Sequence, residues 1–153
     1  FLDEKELEFA INVDYGKMLT EVNAFEFKAD CSDEITSFIL RALLVIDRTN
    51  NMELLTVITR LAERLYDYDS NITNLINYLQ CIRRKRDVTQ EEAENLLNLF
   101  DSNGGNNLIY QCAISLILKN KYNYYKSYKQ LNDEERDKFN SYPIKFLEEL
   151  LSK

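Results

Sequence analysis

Residues 98–119 read NLFDSNGGNNLIYQCAISLILK, and two of the chain's three glycines, Gly104 and Gly105, stand in the middle. Upstream, Thr89 and Glu92 have the spacing of a capping box, and Ala93, Leu96, Leu97 and Phe100 recur on one helical face. Downstream, Leu108, Ile109, Cys112, Ala113, Ile114, Leu116, Ile117 and Leu118 leave almost no polar side. A helix that is apolar all round belongs in the middle of a domain. The run 107–119 is too short to cross a bilayer. The glycines therefore read as a left-handed helix end, with Asn106 or Asn107 starting the next helix. This places an all-α fold around a central hydrophobic helix near 107–119.

Working outward, the same helical spacing returns. In 32–48, Ile35, Phe38, Ile39, Ala42, Leu43 and Ile46 share a face, with Ser32 as N-cap and Asp33 and Glu34 in the first turn. In 52–66, Leu54, Val57, Ile58, Leu61, Ala62 and Leu65 do so. Ser70 or Asp69 can cap a helix over 71–86 with the stripe Ile72, Leu75, Ile76, Leu79 and Ile82. Asn132 with Glu135 suggests a further capping box. Pro143 fits a helix start, and Ile144, Leu147, Leu150 and Leu151 form a last stripe. The expectation is seven or eight helices in a compact bundle or a short helical-repeat array, all in a single domain over 1–153.

The N-terminus reads two ways. Leu7, Ala10, Ile11, Met18, Leu19 and Val22 suit helices. Phe9, Ile11 and Val13, then Phe25 and Phe27, alternate as in a short hairpin turning at residues 14–17. The chain opens on Phe1, which fits a segment of a longer protein.

Composition narrows the chemistry. Three Gly and one Pro disfavour a turn-rich β fold. The net charge of −7 disfavours nucleic acid and anionic membranes as default partners. Cys31, Cys81 and Cys112 are an odd set without metal or redox spacing, as expected of reduced thiols in an intracellular, cytoplasmic protein. Histidine is absent. That removes Ser-His and Cys-His nucleophile pairs and His-containing zinc sites. No catalytic residue, metal or cofactor is expected.

Neither acidic loop completes a calcium site. From Asp101, the positions that need Gly and Glu hold Asn106 and Cys112; from Asp67 they hold Ile72 and Tyr78. The glycine loop also lacks the Gly-Lys-Ser/Thr of a phosphate cradle. The stretch LFDSNGGNNLI, 99–109, resembles the first homology region of Bcl-2-like proteins, where a Gly/Asn turn precedes a hydrophobic central helix. The family's Asn-Trp-Gly-Arg is missing, because Leu108, Ile109 and Tyr110 follow Asn107. NLIYQCAISLI is also similar to a helix of adaptin or armadillo-type repeats.

Two segments are candidate binding sites. Lys121 and Lys126 interleave with Tyr122, Tyr124, Tyr125 and Tyr128, a mix suited to a protein interface or to single-stranded nucleic acid. Arg83, Arg84 and Arg86 form the densest basic run, at a helix C-terminus where cations complement the dipole and where an acidic partner could dock. The expected function is a non-enzymatic protein–protein interaction module, an adaptor or regulatory domain. It would take a partner helix or peptide in a groove between amphipathic helices. The alternatives are a Bcl-2-like regulator of host signalling or apoptosis, a nucleic-acid-associated accessory protein using 119–129, and a carboxylate enzyme.

Overall fold

The computed structural model describes residues 13–103 and 105–152, and these contain helices and no strand. They are α1 (Tyr15–Ala24), α2 (Ser32–Thr49), α3 (Met52–Tyr68), α4 (Ile72–Arg83), α5 (Gln90–Ser102), α6 (Leu108–Ile117), α7 (Lys121–Gln130), α8 (Asp133–Asn140) and a 3-10 helix (Pro143–Leu150). None of them is long and apolar enough to cross a membrane. The chain separates into two compact units, 1–70 and 71–153.

In the first unit α3 packs on both α1 and α2. Ile39 and Leu43 of α2 and Leu55, Ile58 and Leu65 of α3 are fully buried. The turn between α2 and α3 uses two asparagines and no glycine. Asn50 adopts φ 54° and donates its N–H to Ile46 O, and Asn51 Oδ1 accepts from the Leu54 N–H. Asn51 also donates from Nδ2 to the Tyr15 hydroxyl at 2.6 Å. Arg64 closes the C-terminus of α1 by donating to Val22 O at 2.6 Å and to Phe25 O at 2.7 Å. A cation there meets the negative end of the helix dipole. The Phe27 ring lies under the Arg64 guanidinium at 5.0 Å and stacks on Tyr68.

In the second unit α6 is the hub. It packs on α4, α5, α7 and the 3-10 helix, and Cys112, Ala113, Ile114, Leu116 and Ile117 are buried. The glycine turn behaves as its composition requires. Gly105 takes φ +67° and donates its N–H to Phe100 O at 3.2 Å, closing α5. Asn107, rather than Asn106, then caps α6 by accepting from the Tyr110 N–H. Both expected capping boxes form, at Thr89/Glu92 and at Asn132/Glu135.

Several details differ from the sequence reading. Asn71 caps α4, because the Asp69 N–H closes α3 and the Ser70 hydroxyl donates back to Tyr66 O. Ser32 is already inside α2, whose N-cap Cys31 makes no side-chain cap bond. Phe38 and Leu97, assigned to buried stripes, are about two-fifths exposed. The last helix is 3-10 rather than α. The hairpin alternative fails over 13–30, where α1 is followed by irregular backbone at Phe25–Lys28. Its first limb, with Phe9 and Ile11, lies outside the described residues.

Candidate functional site

The site is built on α7, which has two dissimilar faces. Asn120 caps the helix by accepting from the Asn123 N–H at 3.1 Å, and Lys129 sits in its last turn. Successive residues rotate by about 100°, which puts Tyr124, Ser127 and Leu131 on one side and Tyr122, Tyr125, Lys126 and Lys129 on the other. The first group is buried. The second is exposed, with Tyr122 at 75% and Tyr125 at 39%.

The inner face is pinned by a polar network. Tyr124 has no exposed surface, and its hydroxyl donates to Glu148 Oε2 at 2.5 Å. Glu148 also takes an ion pair and hydrogen bond from Lys145. Burial raises the Tyr124 pKa, and the bond to Glu148 raises it further. Burial alone would raise the Glu148 carboxyl as well. Hydrogen bonds from Lys145 and Tyr124 outweigh it and hold that carboxyl below its ordinary range.

Tyr128 is half-buried and also structural. Its hydroxyl donates to Asn140 Oδ1 at 2.9 Å, and Arg136 and Lys145 sit over its ring at 5.5 and 5.3 Å. Tyr124, Tyr128 and Phe139 form one aromatic cluster.

On the outer side Tyr125 borders a shallow open groove of about 290 Å³, lined also by Lys145, Phe146, Glu148 and Glu149 of the 3-10 helix. Arg84 holds that helix in place, donating to Pro143 O at 2.9 Å with its guanidinium 5.4 Å from the Phe146 ring centre. The groove is thus fixed at Glu148 by Tyr124 and Lys145, and at Phe146 by Arg84.

The candidate residues therefore divide. Tyr122, Tyr125, Lys121 and Lys126 are exposed on α7. Tyr124 is corrected to a core residue, since a side chain with no exposed surface cannot meet a partner. The basic run is engaged within the fold. Buried Arg83 donates to Arg86 O and the Asp87 carboxylate, and Arg84 to Gln80 O and Pro143 O. Arg86 forks onto Glu92 at 2.8 and 3.1 Å. That bond raises the Arg86 pKa and lowers the Glu92 pKa. These three arginines staple the C-terminal end of α4 to its own loop, to α5 and to the 3-10 helix.

The sequence reading missed Phe146, Lys145, Glu148 and Glu149. The Lys145–Glu148 spacing of three, just after a proline helix start, was the available signal. Two of the three thiols offer little chemistry. Cys81 and Cys112 are buried, and burial pushes Cys112 up to about 11. Among the described residues, no cluster of three or more Cys, Asp or Glu is placed to hold a metal.

Compared with family models, with curated proteins and with solved structures, the chain matches none.

Proposed function

We propose that this chain is a non-enzymatic protein-interaction module, and that the outer face of α7 with its groove receives a peptide segment of a partner. The observation that carries the reading is Tyr122 and Tyr125 standing exposed on a helix whose opposite face is pinned through Tyr124. Tyrosine has only two side-chain torsions, so it offers large contact area at low entropy cost. Ordering costs fall further when the backbone beneath is already fixed. A groove of about 290 Å³ is small for a whole helix and suits one or two anchoring side chains.

Site-specific photocrosslinking tests this. A photoreactive phenylalanine analogue at position 122 or 125, in the cell of origin, should give a discrete protein adduct. The same probe at exposed Glu91 of α5 should not. Equal labelling at all three positions, or no adduct at 122 and 125, would refute the reading.

A further inference from the structure

Charge complementarity identifies the kind of segment this face fits, taking the interaction reading above as given. The whole chain carries −7, yet α7 contains three lysines and no acidic residue. Lys121, Lys126 and Lys129 are all exposed, and none has an acidic partner among the described residues. Elsewhere Arg60 is answered by Glu63, Arg86 by Glu92 and Lys145 by Glu148. Exposed Lys17, Lys28, Arg48, Lys85 and Lys138 are also without an acidic partner among the described residues, but each stands on a different helix or loop. α7 thus concentrates three uncompensated positive charges on one short helix that also exposes Tyr122 and Tyr125. Lys126 and Lys129 are one helical turn apart, about 5–6 Å between their Cβ atoms. That separation suits two carboxylates on successive turns of a helix or on alternate residues of a strand.

The other side of the groove has the opposite sign. Glu148 is neutralised by Lys145 and held by Tyr124, but exposed Glu149 lines the groove with no described counter-charge. A uniformly anionic strand laid across the site would meet Glu149. A peptide with carboxylates on the α7 side only would not. We infer that the α7 face binds an acidic peptide segment that seats an apolar or aromatic anchor beside Tyr125 and Phe146, with its acidic residues against Lys126 and Lys129 and a neutral or basic residue towards Glu149.

The test is selection of displayed random dodecapeptides against the full chain, the Tyr125→Ala variant and the Lys126→Glu/Lys129→Glu variant, with circular dichroism checking that each is folded. Wild type should enrich peptides with paired Asp or Glu flanking an aromatic or large aliphatic residue. Labelled copies should lose about tenfold or more in affinity to either variant. Their binding to wild type should weaken as salt rises. Glu149→Lys should shift the selection towards acidic residues on both sides of the anchor. Enriched peptides that need Tyr125 but show no acidic bias would overturn the charge assignment and leave the interaction reading standing. Failure to enrich any peptide dependent on Tyr125 would overturn both. So would a labelled mixed-sequence oligonucleotide that binds at micromolar level and is lost in the lysine variant.

Discussion

At the scale of single residues, the chain handles its shortage of glycine in a testable way. The C-terminus of α6 forms a Schellman end, with the Asn120 N–H on Ser115 O at 2.8 Å and the Lys119 N–H on Leu116 O at 3.2 Å. The left-handed position is held by Lys119 at φ 58°. A side chain there costs roughly 1–2 kcal/mol, partly offset by the smaller entropy of the unfolded chain. Lys119→Gly should therefore stabilise the protein by about 0.5–1 kcal/mol in a denaturant titration. The lost pair with Asp87, itself 70% exposed, should matter little. Gly105→Ala should do the reverse, costing about 1 kcal/mol. The nearest atom to an added Cβ is 3.7 Å away, so that loss is conformational and not steric. Unchanged stability in both variants would contradict the dihedral assignment.

Tyr124 and Glu148 set the pH behaviour at the same scale. The folded pKa of Glu148 lies below its ordinary 4.5, so its contribution is complete above that pH and is lost as pH falls through the folded value. The folded pKa of Tyr124 lies above its ordinary 10, so stability falls once pH rises past 10 and the unfolded phenol ionises. Tyr124→Phe should flatten the alkaline limb, and Glu148→Gln the acid limb, of a stability–pH curve. A Tyr124→Phe protein with the wild-type alkaline limb would show that this phenol is not the group responsible.

At the scale of elements, what could be read from sequence follows from how sharply a side chain prefers one environment. Leu, Ile and Val strongly favour burial, so the stripes of α3, α4 and α6 were plain in the spacing. Leu116→Ala should cost about 2–5 kcal/mol, since Leu116 is fully buried at the hub helix. Leu97→Ala, on an exposed position of α5, should cost under about 0.5 kcal/mol. Similar losses at the two sites would displace α6 from the centre of its unit. In α7 the only large apolar bodies are tyrosines, at 122, 124, 125 and 128, scattered around the wheel. A tyrosine has an apolar body and a polar tip and suits either environment, so composition alone could not say which faced inward. The Glu148 carboxylate and the Phe139 ring, both distant in sequence, select Tyr124. The 3-10 helix was legible in principle. Ile144, Leu147 and Leu150 recur every three residues, matching three residues per turn, but short apolar runs are ordinarily read as α. The basic run misled for a similar reason, because nothing in Arg83–Arg86 reveals that Asp87, Glu92 and Pro143 O would consume it.

At the scale of the molecule, the described residues form an all-helical protein, and its far-UV spectrum should be strongly helical. A spectrum dominated by strand or coil would contradict the fold. The proposed division of labour is that α7 keeps the fold with its inner face and meets a partner with its outer one. The direct measurement is the Tyr122→Ala/Tyr125→Ala double variant, read twice: by thermal unfolding, and by affinity for the partner or peptide recovered at position 125. Stability should fall by under about 1 kcal/mol, because both side chains are exposed, while affinity should fall at least tenfold. Unchanged affinity, or an affinity loss matched by collapse of the fold, would contradict that division of labour.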